Sequence, residues 1–205
     1  MTSRYSVQRG IGVGSLSGII AGAVMLPVMM ATNMMMGNPP LAFQIMTGMM
    51  MGQTMATAAG VGIVLHMVAS TIIGTIFGIV ISTDKLRLTS FAKGTGLGIA
   101  TGIIAFAVLF LPMMMTVLPP QMVGLMHMMN PQAPMPMIMK NIQAAMPMIV
   151  SGAVFVHIVF GAVLGSVATA MLRASKSYEC RPCHMKFRNE RELREHEEQA
   201  HMQKH

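Results

Sequence analysis

The chain has no tryptophan, two tyrosines and two cysteines among its 205 residues, and only 7 of those residues are acidic. Both cysteines, Cys180 and Cys183, lie in one short motif, which excludes a disulfide scaffold. Asp, Glu, Lys and Arg make up 10% of the chain, where an ordinary soluble domain carries roughly 25%. Two stretches lack them entirely, Gly10 to Thr83 and Gly94 to Met139. Their apolarity excludes disorder, and each far exceeds the ~20 residues that cross a bilayer, so a soluble fold is not expected. The charge that remains is concentrated. Arg173 to His205 holds 8 basic and 6 acidic residues, and the first 172 positions hold 6 basic and 1 acidic. The net charge of +7 falls mostly on the flanks and loops of the apolar stretches, which makes it a membrane signal rather than a nucleic-acid one. No nucleophile has a base nearby, no Lys-bearing phosphate loop occurs, and no carboxylates pair outside the C-terminal helix. An enzyme is therefore not expected.

Four spanning helices fit the apolar stretches, near Ile11 to Met36, Met55 to Ser82, Gly94 to Leu118 and Met146 to Leu172. Gly37-Asn38-Pro39-Pro40, Thr83-Asp84-Lys85 and Leu118-Pro119-Pro120 punctuate them as turns. Asn33, Gln44 and Gln53 are assigned to turn chemistry in the same connections. The first span is too long for a cleaved signal peptide and is read as a permanent helix. Arg4, Arg9, Lys85, Arg87, Lys93, Arg173 and Lys176 gather on one side of the spans, and only Lys140 lies on the other. The basic side is the cytoplasmic one, which places both termini in the cytoplasm of a multi-pass cell-membrane protein.

The halves of this region repeat. Gly10 to Thr32 overlays Gly94 to Thr116 at a shift of 84 with twelve identities in 23 ungapped positions. The second helices align at a shift of 91, which matches His66 with His157 and Gly74 with Gly165. The expected architecture is all-α: two tandem helical hairpins in residues 1–172 (repeats at about 10–82 and 94–172), a linker at 173–177, and a small ββα module at 178–205. Glycines recur every four residues in each hairpin, as at Gly10, Gly14, Gly18 and Gly22, a spacing that suits close helix packing in lipid and, as a second reading, a permeation path.

The C-terminal segment runs Tyr178-Glu-Cys180-Arg-Pro-Cys183, then Phe187, Leu193, His196 and His201. A Cys-x2-Cys turn presents two thiolates and one helical turn presents two imidazoles, the tetrahedral N and S donor set that Zn²⁺ prefers. With these spacings and apolar positions, residues 178–201 resemble a C2H2 zinc finger. The resemblance implies zinc at Cys180, Cys183, His196 and His201, and zinc binding as the source of folding energy. His184 and His205 fall outside the pattern. The positions that read bases in DNA-binding fingers correspond to Asn189, Glu192 and Glu195, and this acidic face would be repelled by phosphates. A cytoplasmic protein is the expected partner of the finger, and nucleic acid is not.

Methionine is the largest excess: 28 residues, of which 23 fall between Met25 and Met55 or between Met113 and Met148, in the outward half of the expected bundle. Clusters stand at Met49, Met50 and Met51 and at Met126, His127 and Met128. Thioethers are soft neutral ligands that favour Cu(I). In this composition the chain resembles the Met-rich copper transporters, although those are trimers of three-span subunits. Met is also a flexible packing residue, which remains a competing reading. His66 and His157 fall midway through the second and fourth spans, where ionisable groups are costly and often functional. They are candidate metal ligands with Met25, Met29 or Met113, or proton carriers, or simply donors to hydroxyls and carbonyls of neighbouring helices. The leading expectation is soft-metal (Cu⁺) binding or transport by the outward Met clusters, with a zinc finger inside. The alternative is a non-catalytic accessory or scaffold subunit, in which these faces pack against a larger membrane complex, or against further copies of the chain, and the finger docks a partner.

Overall fold

The computed structural model describes residues 6–83, 86, 88–174, 178–180, 182–183, 185–187 and 190–200. It divides after Thr169 into two compact units. Among the described residues, four helices are long and apolar enough to cross a membrane: Val7–Met35, Met55–Ile81, Phe91–Thr116 and Met135–Ala174. Around them the elements run α1 (Val7–Met35), α2 (Ala42–Met50), α3 (Met55–Ile81), α4 (Phe91–Ala105), α5 (Leu111–Thr116), α6 (Leu118–Met129) and α7 (Met135–Ala174). A π-turn at Phe106–Phe110 joins α4 to α5 within the third span.

Local chemistry sets the helix ends. Ser6 accepts a hydrogen bond from the Arg9 N–H and Ser90 accepts one from the Lys93 N–H, each at 3.2 Å, so the N-caps of α1 and α4 also repeat at the shift of 84. Gly37 and Gly52, with φ of 73° and 74°, turn the chain out of α1 and α2 through the left-handed region. Pro112 has no N–H to give its helix, and just before it the Leu111 N–H bonds to the Phe106 carbonyl, five residues back. Relative to the shift of 84, Pro112 comes one residue later than Pro27, and a π-turn takes up one such extra residue.

Three features depart from the sequence reading. The connections expected as turns contain the short helices α2 and α6. Each follows or contains a Pro-Pro pair, and Pro is favoured in a first helical turn. The fourth span starts at Met135 rather than near Met146, and continues through Pro147. Gln44 is not in a turn: it lies on α2 and is fully buried.

The glycine ladders pack α1 on α3 and α4 on α7. Added Cβ atoms on Gly14 and Gly18 would strike the backbone at Gly74 and Ser70; on Gly98 and Gly102 they would strike it at Gly161 and His157. Ser15 and Thr75 bond across the first hairpin at 2.7 Å, and Thr95 and Ser166 across the second at 2.8 Å. This corrects the repeat. A shift of 84 in the first helices makes Gly161 the counterpart of Gly74 and His157 the counterpart of Ser70. The shift of 91 that equates His66 with His157 superposes Thr95–Ser166 on Ser15–Thr75, and then the first helices differ by 80. The two sequence shifts are thus one helical turn out of step with each other, because a ladder with a period of four can be matched at either turn.

The second unit begins within the last turn of α7. Strand β1 (Tyr178–Glu179) pairs antiparallel with β2 (Lys186–Phe187), with Tyr178 opposite Phe187, and α8 (Glu190–Ala200) follows. The Cys180 N–H bonds to the Met185 carbonyl at 2.9 Å and closes the hairpin. Arg191 and Glu195 form an exposed 3.5 Å ion pair on α8, a geometry that contributes little stability. The expected fourth zinc ligand His201, the linker residues 175–177, His184, His205, Arg188 and Asn189 lie outside the described residues, as do Arg4, Asp84, Lys85, Arg87 and Lys176.

Candidate metal centres

The first unit holds a partly open cavity of about 720 Å³ at its Met-rich end. Its walls come from Met25 to Asn38 of α1 and the turn after it, from α2, from Gly62 to Ile73 of α3, from the third span, from α6 and from Asn141 to Phe160 of α7. None of the tightly packed glycines between Gly10 and Gly22 contributes, so the chamber ends where the helices close together. Among the described residues, ten methionines line it, and no Asp, Glu, Lys or Arg does. His66 and His157 both line it and lie within electrostatic range of each other.

Each imidazole is anchored by a backbone carbonyl. His66 Nε2 lies 3.1 Å from the Gly22 oxygen on α1, and His157 Nδ1 lies 2.7 Å from the Ala153 oxygen one turn back on α7. A carbonyl only accepts, so those nitrogens carry the protons. The hydrogen-bond reading and the ligand reading of these histidines are therefore compatible: one nitrogen is committed, and the other keeps a lone pair. A ligating histidine commonly has its second nitrogen held in this way. The Phe106 and Phe110 rings, 5.7 Å apart and stacked on each other, lie together beside His157, both at 5.5 Å between centroids and inclined to it by 71° and 58°.

Of the residues singled out in the sequence, Met29, Met113, His66 and His157 meet at the cavity, together with Met25, Met50, Met51 and Met126. Met49 does not line it and points toward Gly124 of α6. His127 and Met128 are exposed and do not line it, because on α6 only one helical face turns inward. Sequence reasoning missed Met46, Met122 and Gln44. The amide Nε2 of Gln44 approaches the Met29 sulfur at 4.0 Å, and its Oε1 is buried with no hydrogen-bond partner. Neither α2 nor α6 has a clear apolar period and Pro-Pro reads equally well as a turn, so the sequence carried no clear signal that places these residues on helices.

In the second unit the ligand atoms of Cys180, Cys183 and His196 all lie within 4.8 Å of one another. Cys183 Sγ is 3.1 Å from His196 Nε2, and the Phe187 ring packs on the His196 ring at 4.8 Å. Burial raises the Cys180 thiol pKa; a hydrogen bond from the Cys183 backbone opposes the rise, and the Cys183 thiol and Glu197 add to it. Two sulfurs and one imidazole nitrogen at this spacing suit a metal that accepts tetrahedral N and S ligands, as Zn²⁺ does.

Comparison with family models, with curated proteins and with solved structures gives no match.

Proposed function

We propose that this chain is a soft-metal-binding membrane protein whose Met/His cavity takes Cu(I), and whose C-terminal module is a zinc finger held by Cys180, Cys183, His196 and His201. The observation that carries this reading is the meeting of two imidazoles and ten thioethers on one chamber that, among the described residues, no carboxylate lines. Such a donor set suits a soft cation and offers a hard divalent ion little. The basic residues Arg9, Lys93 and Arg173 stand at the glycine-packed ends of their spans, which by the positive-inside rule turns the Met-rich end outward and the termini to the cytoplasm of the cell membrane. Cu(I) then enters by exchanging one thioether for the next and comes to rest at the histidine level. The role is capture and hand-over, not catalysis. Zinc supplies the folding energy of a module with almost no core of its own and presents α8 to a cytoplasmic protein.

The test is anaerobic Cu(I) titration of the detergent-solubilised protein against a chromophoric competitor, with zinc already supplied. Replacing Met25, Met29 and Met113 with Leu, which preserves volume, is expected to weaken binding on the order of 100-fold, while the same change at the exposed Met34 and Met35 leaves it unchanged. Equal affinities in both variants and the parent would overturn the reading. The exposure of Met34 and Met35, at 61% and 87%, also favours a second role, contact with a larger membrane assembly. Stable co-purification with such an assembly, without copper, would favour that alternative.

A further inference from the structure

The two histidines are tied differently, and the ties determine which atoms remain to bind. Around His66, Gly22 has no side chain, and a Cβ there would come within 2.7 Å of the Ser70 side chain. The His66 ring crosses to α1 and donates from Nε2 to the Gly22 carbonyl. The His157 carbonyl is pressed against Gly102, and the His157 ring turns back along α7 to donate from Nδ1, with the stacked Phe106 and Phe110 rings beside it. A neutral imidazole has one proton and one lone pair, so each tie names the remaining nitrogen.

We infer that the two histidines offer the cargo opposite ring nitrogens, Nδ1 from His66 and Nε2 from His157, and that the site takes monovalent soft cations, Cu(I) and Ag(I), in preference to divalent ones. This rests on the metal-binding reading above and deepens it. The charge preference follows from the lining. Imidazole and thioether donors are neutral, and the cost of burying an ion rises with the square of its charge. A divalent ion would face about four times the desolvation cost of a monovalent one with no carboxylate to offset it. The Gly22 and Ala153 carbonyls act as positioning groups. They hold each ring in one tautomer and strengthen the opposite nitrogen as a ligand.

The experiment is ¹⁵N NMR of the intact protein, labelled in its histidine rings, held in nanodiscs with zinc supplied and titrated anaerobically with Ag(I) as a diamagnetic probe. His66→Gln and His157→Gln variants assign the signals, and each is expected to lower Ag(I) affinity at least tenfold. Ag(I) is expected to shift Nδ1 of His66 and Nε2 of His157 and to leave their partner nitrogens protonated. Shifts at the same nitrogen in both rings would overturn the inference and leave the metal-binding reading intact. Ag(I) bound with neither ring shifted would also overturn it, placing the ion on thioethers alone. No Ag(I) bound to the first unit would overturn both. Zn(II), added in place of Ag(I), is expected to leave both rings unshifted, and equal shifts would overturn the charge preference.

Discussion

Cys180 is buried while Cys183 is exposed, and the two sulfurs share the same small space with the His196 ring. Burial holds the Cys180 proton more tightly than water would, so a metal must displace it. Metal affinity therefore falls as pH falls. With two thiols to deprotonate, the loss approaches about 100-fold per pH unit below their range, and zinc retention measured against a chelator between pH about 6 and about 8 should drop steeply on the acid side. Retention that ignored pH, or that survived Cys180→Ser, would contradict thiolate ligation. These ligands were legible in the sequence because their spacing alone places them together. Gln44 was not. Its burial depends on α2, a helix of nine residues with no charge pattern to reveal it, and on the approach of α2 to Met29. His66 and His157 stood out because a charge-free span makes any ionisable residue conspicuous. Their tautomers depend on which carbonyl each ring reaches, and only the fold decides that.

Among the elements, the long helices could be read from the absence of charge, since only a membrane-length apolar run needs no other signal. The short helices at the Met-rich end could not, because Met and Gly give no clear period and Pro-Pro reads equally well as a turn. The repeat was visible, but the register of the second helices was ambiguous by one turn. Glycines every four residues match themselves at either turn, and Ser15–Thr75 against Thr95–Ser166 is what distinguishes the alternatives. The ladders also divide the glycines into two kinds. A side chain on Gly98 would meet the Gly161 backbone, whereas Gly12 and Gly96 have nothing within 4 Å of an added Cβ. Gly98→Val should therefore destabilise the metal-free protein by about 1–3 kcal/mol or more, through forced separation of α4 and α7. Gly12→Ala and Gly96→Ala should be neutral or stabilising by up to about 1 kcal/mol, because Ala favours helix. Unfolding in detergent by a steric-trap or denaturant assay checks the contrast, and equal effects at the two classes would refute backbone-to-backbone packing.

For the molecule as a whole, the division of labour follows the distribution of residue types along the spans. The glycine-packed half leaves no room between paired helices, and the Met-rich half opens into the chamber. The sequence foretold which end carried the methionines. It did not foretell which of them face inward, because on α2 and α6 that depends on helices it did not reveal. The uneven use of Met follows the chamber: adaptable thioether walls where the helices open, small residues where the fold is held. The proposed resting place of the ion, between histidine nitrogens and thioether sulfurs in this chamber, is open to X-ray absorption at the copper edge on the intact protein, loaded with one equivalent of Cu(I) after zinc has been supplied. A mixed shell of nitrogen and sulfur neighbours is expected, retained in Cys180→Ser and depleted of nitrogen in the His66→Gln/His157→Gln double variant. A shell of sulfur alone that vanishes in Cys180→Ser would place the copper on the C-terminal thiols and contradict the proposed placement.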